Sequence, residues 1–112
     1  MSDCLFCRIA RKEIPSAAVW DDDEVYAFDD IAPQAPTHVL VVPKLHLASL
    51  AEAGAEQAPL LGRLLGAAAE IAGRRGLRDF RTVINNGAGA GQSVFHLHLH
   101  LLGGRPFHWP PG

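Results

Sequence analysis

Three of the chain's six histidines, His96, His98 and His100, fall within five residues and are separated by Leu97 and Leu99. Alternate side chains of an extended segment point to the same side, so we expect the imidazoles on one face and the leucines on the other. The strand rise places neighbouring imidazoles about 6.6 Å apart at their bases. Crowded imidazoles oppose one another's protonation, so part of this row should be neutral at pH 7 and able to act as nucleophile, base or metal ligand.

The residue types alone leave three interpretations of this histidine row open. The imidazoles could be solvated or bonded within the core, although strict alternation of three argues against this. They could hold a zinc ion with one open position, as in zinc hydratases and hydrolases. One of them could instead be a catalytic nucleophile, with the other two positioning and protonating the reacting groups.

The glycine-rich segment "NNGAGAGQS", residues 85–93, enters the histidine row directly. Its glycines let backbone amides converge without obstruction by Cβ atoms, and converging amides suit an anionic phosphate oxygen. Gln92 and Ser93 add side chains that can form hydrogen bonds at the entrance to the row. Such a loop alone could be a simple hairpin connection, but beside the histidines it favours phosphorus chemistry.

Short strands and one long helix must position these residues. The sequence predicts a short helix in "LFCRIARKEIP", two strands around an acidic turn in "AAVWDDDEVYAFDD", a buried strand in "THVLVVPK" and another in "FRTVIN". The long helix is predicted over roughly residues 56–75, with Pro59 in its first turn. Its predicted apolar stripe comprises Leu60, Leu61, Leu64, Leu65, Ala68 and Ile71. Strands with one long helix indicate an α+β protein with an antiparallel sheet.

Composition excludes several classes of protein. The 112 residues predict one domain, and a net charge of −2 without a basic run argues against nucleic acid as a partner. The start does not resemble a signal peptide, and no apolar run reaches the ~20 residues of a membrane-spanning helix, so we expect a cytoplasmic protein without a membrane partner. Two cysteines, Cys4 and Cys7, are no disulfide scaffold and suggest metal or redox chemistry.

The chain resembles the histidine-triad (HIT) family, whose motif is His-φ-His-φ-His-φ-φ with φ apolar; "HLHLHLL" matches it throughout. "ARKEIPSAAVWDDDEVYAFDDIAPQAPTHVLVVPKLH" resembles the family's amino-terminal half, and "GQSVFHLHLHLLGGRPFHWPPG" resembles its Hint branch, the histidine-triad nucleotide-binding proteins. The resemblance implies a single HIT domain over residues 1–112, built from a five-stranded antiparallel sheet, one long helix and a short amino-terminal helix. It also implies a homodimer with a continuous ten-stranded sheet, in which the tail, residues 104–112, reaches toward the partner.

The same resemblance implies a hydrolase that cleaves purine nucleoside 5′-phosphoramidates, such as adenosine phosphoramidate to AMP and an amine, through a covalent nucleotidyl-histidine. His98 would be the nucleophile, His100 would bind the phosphate and assist the leaving group, and His38 would support the cluster. Ser93 would relay a proton, and no metal would be needed. The implied nucleotide-binding residues are Leu5, Phe6, Ile9, Phe28 and Ile31 at the base, Asp30 at the ribose, Asn85, Gln92 and Ser93 at the phosphate, His98, His100, and Trp109 near the neighbouring subunit's site.

Some members of the family hold a structural zinc ion, and the resemblance implies Cys4, Cys7, His46 and His96 as its ligands here. Two thiolates and two imidazoles form a closed tetrahedral site. The alternative is that both thiols are simply buried as small apolar groups. Zinc is therefore an expected structural cofactor that the fold does not strictly require.

Other functions remain open beside the phosphoramidase. The chain could be a dinucleoside polyphosphate hydrolase of the fragile-histidine-triad branch, although the "WPPG" ending favours the Hint branch. It could be a nucleotide-binding adaptor with incidental hydrolysis, although the catalytic set is intact. An open zinc hydrolase also remains, and turnover that a chelator does not affect would count against it.

Overall fold

The structure is a computed structural model that describes residues 4–112. The five strands form one antiparallel sheet in the order β1-β2-β3-β5-β4. Helices and strands in chain order are α1 (Leu5–Ala10), β1 (Ala18–Asp21), β2 (Val25–Asp29), β3 (Thr37–Pro43), α2 (Ala58–Arg74), β4 (Phe80–Val83) and β5 (Leu99–Gly103). This confirms the predicted α+β class with a five-stranded antiparallel sheet, one long helix and one short helix. Between residues 4 and 112, no helix has both the length and the apolar character needed to cross a bilayer.

The central strand β3 is buried at every position because the sheet is covered on both faces. Val39 and Val41 face the core beneath α2, whereas Leu40 and Val42 face the second cluster, beneath α1. Period-2 alternation therefore sorts one continuous apolar strand into two environments. His38 shares the α1 face with Leu40 by the same alternation, so this face carries both polar and apolar groups.

The long helix α2 closes the opposite face of the sheet. Leu60, Leu64, Ala68 and Ile71 are buried as predicted, but Leu65 is 52% exposed. Leu65 is rotated about 100° from Leu64 around the helix axis, which places it on the flank of the stripe. The helix begins two residues later than predicted because residues 55–57 form a separate 3-10 turn.

The histidine row does not lie on one strand, and this part of the prediction is wrong. β5 begins at Leu99, and pairing with β3 ends at the Val41–Leu99 pair, so His96 and His98 lie in an irregular segment. Leu97 leaves the ladder and donates its N–H to the Leu47 oxygen at 2.6 Å. The predicted sidedness survives, since Leu97 and Leu99 are fully buried in the core beneath α2.

Candidate active site and metal centre

His98 has one nitrogen fixed as a donor. Its Nδ1 lies 2.7 Å from the main-chain oxygen of His96, and a carbonyl can only accept, so Nδ1 carries the proton. In a neutral imidazole the lone pair is then on Nε2. The ring is 6% exposed, and Phe6 packs against it edge-on with ring centroids 5.1 Å apart. The arrangement presents an unprotonated ring nitrogen in a defined position, as a nucleophile requires.

His38 sets the tautomer of His100. The Gln34 N–H donates to Nδ1 of His38 at 3.0 Å, so the proton of His38 lies on Nε2. That nitrogen lies 2.9 Å from Nδ1 of His100 and 3.4 Å from an Asp30 carboxylate oxygen. His38 therefore donates to Nδ1 of His100, which leaves the His100 proton on Nε2. Nε2 of His100 can therefore donate a hydrogen bond to a bound anion, whereas Nε2 of His98 carries a lone pair and can only accept one.

The hydrogen-bonded rings of His38 and His100 are both neutral at pH 7. Burial lowers the pKa of His100 to about 4, assisted by the nearby rings of His98 and His38 and opposed by the Asp30 carboxylate. Burial also lowers the pKa of His38, although Asp30 partly opposes the shift. Neutral rings agree with the tautomers deduced from the hydrogen bonds.

A pocket of about 220 Å³ opens beside His98 and His100. Its walls come from α1, from the end of β2, from β3 and from the segment that precedes β5, so four distant parts of the sequence meet here. Asp30 is the only carboxylate among its lining residues, and most of the others are apolar. The lining residues are Leu5, Phe6, Ile9, Phe28, Asp30, Ile31, Leu40, Ser93, Val94, His98 and His100. Nine of these were predicted from the sequence; Leu40 and Val94 were not.

A second pocket, of about 260 Å³, adjoins the first at His100. Asn85 and His38 line it, together with Gln34, Arg81 and Arg105, which the sequence analysis did not single out. These two arginines lie on β4 and in the tail, and no local sequence pattern marks either as a site residue. A larger pocket of about 680 Å³ lies outside β4 and contains no histidine.

Three predicted nucleotide contacts lie outside the inner wall of the 220 Å³ pocket. Gln92 is buried, and its amide donates to the oxygens of Ala48 and Val94, so its side chain lines neither histidine pocket. Trp109 is 81% exposed and lines neither of them. Ile31 lines the 220 Å³ pocket but is fully exposed at its rim.

The glycine-rich loop holds itself together through its own amides. The Gly87 N–H donates to Oε1 of Gln92, and the N–H groups of Ala90 and Gln92 donate to the Gly87 oxygen. Gly87 and Gly91 have φ values of 92° and 97°, a backbone region that favours glycine. These amides are occupied, so the expectation that they cradle a phosphate is wrong for them, and the loop instead positions Ser93 at the pocket.

Four potential metal ligands, two cysteines and two histidines, lie close together beside α1. Nδ1 of His96 lies 3.4 Å from each of the Cys4 and Cys7 sulfurs and 3.1 Å from Nδ1 of His46, which is also 3.4 Å from the Cys7 sulfur. Tetrahedral zinc with ordinary bond lengths needs separations of about 3.5 Å for S···N and about 3.3 Å for N···N. Nε2 of His96 donates to the Pro43 oxygen at 2.7 Å, which leaves Nδ1 unprotonated for a metal. The predicted zinc ligands are therefore brought together with suitable spacing and chemistry.

Comparison with known proteins agrees with this geometry. The HIT domain model matches residues 11–107. An uncharacterised HIT-like protein of Synechocystis is 58% identical over 98% of this chain and 97% of that protein. A 14 kDa zinc-binding protein of Zea mays is 50% identical over 99% of this chain and 89% of its own length. The crystal structure of a HIT family hydrolase from Legionella pneumophila superposes with a TM-score of 0.96 at 47% identity, covering 98% of this chain and all of the other.

Proposed function

The chain belongs to the HIT family, whose members hydrolyse or bind nucleotides, and on this premise we propose that it cleaves purine nucleoside 5′-phosphoramidates to a nucleoside monophosphate and an amine. The observation that carries the proposal is the unprotonated Nε2 of His98 at the wall of an apolar pocket that holds one carboxylate, Asp30. An apolar cleft suits a purine, and a carboxylate beside it suits the ribose hydroxyls. Either purine fits this description.

The nucleotide is placed by two groups of residues. Phe6 and Phe28, whose rings meet edge-on with centroids 5.5 Å apart, form the inner wall against the base. Asp30 accepts hydrogen bonds from the ribose, and the Ala32 N–H, which donates to Oδ1 of Asp30 at 2.9 Å, helps to fix the orientation of the carboxylate. The α-phosphorus then faces His98, and Nε2 of His100 donates to a phosphoryl oxygen.

In the first step, Nε2 of His98 attacks the α-phosphorus while the phosphorus–nitrogen bond breaks. The electron pair of that bond leaves with the amine, which takes up a proton relayed from water through the Ser93 hydroxyl. The ring of His98 becomes positively charged, and its Nδ1–H bond to the His96 oxygen strengthens. Burial of this ring in a fixed orientation supplies the positioning on which transfer at phosphorus depends.

In the second step, a water oxygen attacks the same phosphorus and Nε2 of His98 leaves with its bonding pair. The water loses one proton to solvent, which replaces the proton that the amine consumed, and His98 returns to its neutral form. The sum is one phosphoramidate and one water converted to a nucleoside monophosphate and an amine. Two steps with a good imidazole leaving group replace one difficult hydrolysis.

Zinc has a structural role in this proposal, and Cys4, Cys7, His46 and His96 hold it. Zinc bound there would join the amino-terminal helix to the histidine segment and add folding free energy. The name of the Zea mays relative supports the assignment. All four ligand positions are taken by protein, so the ion has no position open for substrate and the chemistry stays with the histidines.

We further assign residues 1–112 to one HIT domain of the Hint branch that works as a homodimer in the cytoplasm. A reducing compartment would keep Cys4 and Cys7 as thiols for zinc. The outer edge of β4 has no neighbour within the described chain, and an unpaired edge can extend the sheet through a second copy. The tail, residues 104–112, would then carry Trp109 toward the partner's pocket.

Hydrolysis of dinucleoside polyphosphates is a second candidate. Arg81 and Arg105 line the 260 Å³ pocket beyond His100, where a leaving group would lie, and arginines suit an anionic phosphate. An adaptor that only binds nucleotides would need neither the lone pair of His98 nor the donor of His100.

The test compares release of AMP from adenosine 5′-phosphoramidate and from diadenosine polyphosphate. We expect faster turnover of the phosphoramidate and, for His98→Ala, a loss of about 10⁴-fold or more, since removal of a covalent nucleophile costs that much. Retained AMP binding by the variant is the control for folding. Equal rates for wild type and variant would exclude the proposed nucleophile, and preferred turnover of the polyphosphate would select the second candidate.

A further inference from the structure

The short helix α1 serves the metal centre and the nucleotide pocket at once. Cys4 caps its amino terminus and Cys7 lies within it, and both sulfurs face His96. The residues between and after them, Leu5, Phe6 and Ile9, line the pocket beside His98. A six-residue helix is too short to be stable by itself, so its position depends on what it packs against and on what binds it.

Phe6 links the two sites directly. Its ring lies edge-on to His96, with centroids 6.1 Å apart, and edge-on to His98, with centroids 5.1 Å apart. One ring therefore touches a metal ligand, the nucleophile and, through Phe28, the inner wall of the pocket. Movement of α1 by even one ångström would disturb all three contacts.

The backbone supplies a second link. The side chain of His96 belongs to the metal set, and its main-chain oxygen accepts the proton of His98 Nδ1 at 2.7 Å. Metal coordination that fixes the His96 side chain would therefore also restrain the His96 carbonyl, which accepts the Nδ1 proton of His98. The two links involve different atoms, one through α1 and one through the histidine segment, and both lead from the metal ligands to the pocket.

We infer that zinc binding and nucleotide binding are cooperative: the ion held by Cys4, Cys7, His46 and His96 locks α1 and the histidine segment, and so completes the nucleotide pocket. The inference rests on the proposed function, because it concerns the same pocket. Coupling between two sites is reciprocal, so a nucleotide must tighten zinc binding by the same factor as zinc tightens nucleotide binding.

The experiment measures AMP affinity by titration calorimetry for protein loaded with one equivalent of zinc and for protein stripped by a chelator. We expect about tenfold tighter AMP binding to the loaded form, within the usual range of such couplings. Competition against a chromogenic chelator should give zinc affinity about tenfold higher in saturating AMP. Hydrogen exchange of residues 5–11 should slow on zinc addition without AMP.

Three variants distinguish loss of the coupling between the zinc site and the nucleotide pocket from a general loss of AMP binding. His46 is exposed, so His46→Ala removes a metal ligand without opening the core; it should bind AMP like stripped wild type, with or without added zinc. Phe6→Leu should keep its zinc but lose most of the coupling. Leu5→Ala is the matched control, since Leu5 lines the pocket but is 45% exposed; it should weaken AMP binding equally in both forms and leave the coupling intact.

Equal AMP affinity in loaded and stripped protein would overturn the inference while leaving the proposed function standing. Uptake of no zinc by the wild type would overturn it as well. Failure of zinc-loaded protein to bind AMP would instead overturn the proposed function and the inference with it.

Discussion

The Nδ1 proton of His98 is held by the main-chain oxygen of His96, two residues earlier, at 2.7 Å. Many catalytic histidines are oriented by a carboxylate, which can be protonated or mutated. Here the orienting group is a backbone carbonyl, which no side-chain substitution removes. The tautomer of His98 therefore depends on the backbone path of residues 96–98, and this path departs from the β-ladder before β5 begins.

The tautomer can be observed directly. We expect long-range ¹H–¹⁵N spectra at pH 7.5 to show His98 protonated at Nδ1 and unprotonated at Nε2. His96 should give the opposite pattern, because its Nε2 donates to the Pro43 oxygen at 2.7 Å. His100 should also carry its proton on Nε2. A proton on Nε2 of His98 would contradict the assignment of this residue as the nucleophile.

Acid should destabilise the fold through His100. Its pKa is about 4 in the folded chain, against about 6.5 for an unperturbed histidine. Between these values the unfolded chain binds more protons, so the free energy of unfolding falls as pH falls from 6.5 toward 4. The full difference corresponds to about 3 kcal/mol at most, and solvent at the partly exposed ring reduces it.

Urea unfolding at pH 7 and pH 4.5 measures this effect. His100→Gln lacks the titrating ring, so it should lose less stability over this interval than the wild type. His38 contributes in the same direction because burial also lowers its pKa, and some slope should remain in the variant. If the free energy of unfolding changed with pH equally in His100→Gln and in the wild type, His100 would not titrate as its burial indicates.

Side-chain alternation and the family motif predicted most of the pocket because both report which side of the chain a residue occupies. Leu97, Leu99 and Leu101 lie in the core beneath α2, opposite His98, as predicted. Alternation does not determine hydrogen bonding, so it suggested a continuous strand where only His100 of the three histidines belongs to β5.

Features formed by distant contacts could not be read from the sequence. The tautomer of His100 depends on the Gln34 backbone through His38, 62 residues earlier in the chain. The amide of Gln92 satisfies the Ala48 oxygen, 44 residues away, which keeps that side chain out of the pocket. A polar residue next to a motif looks the same in the sequence whether its side chain binds a ligand or stabilises a loop.

Asp30 should provide discrimination for the ribose. We expect 2′,3′-dideoxy-AMP to bind the wild type about 10- to 100-fold more weakly than AMP, since hydrogen bonds to a charged group contribute about 1.5–3 kcal/mol. Asp30→Ala should bind both nucleotides with similar, weak affinity. Calorimetry of both proteins with both nucleotides gives the coupling free energy between the carboxylate and the ribose hydroxyls. Equal discrimination in wild type and variant would place the ribose elsewhere.

The exposed face of α2 should form part of the interface of the proposed homodimer. Leu65 is 52% exposed, and Gly62, Gly66 and Gly73 leave the surface around it open, with nothing within 4 Å of an added Cβ atom. Such a face lets a second helix approach closely. Sedimentation at micromolar concentration should therefore give about 24 kDa, twice the 12.0 kDa of one chain.

Gly66→Arg tests this face with little cost to the monomer, because a Cβ atom added at Gly66 meets nothing within 4 Å and arginine favours a helix more than glycine does. We expect the variant to sediment as a monomer, since two buried guanidinium groups would meet across a two-fold axis. Ala51→Arg, on an exposed 3-10 turn, adds the same single positive charge elsewhere and should remain dimeric. A wild type that sediments at 12 kDa would contradict the dimer, and a dimeric Gly66→Arg would move the interface away from α2.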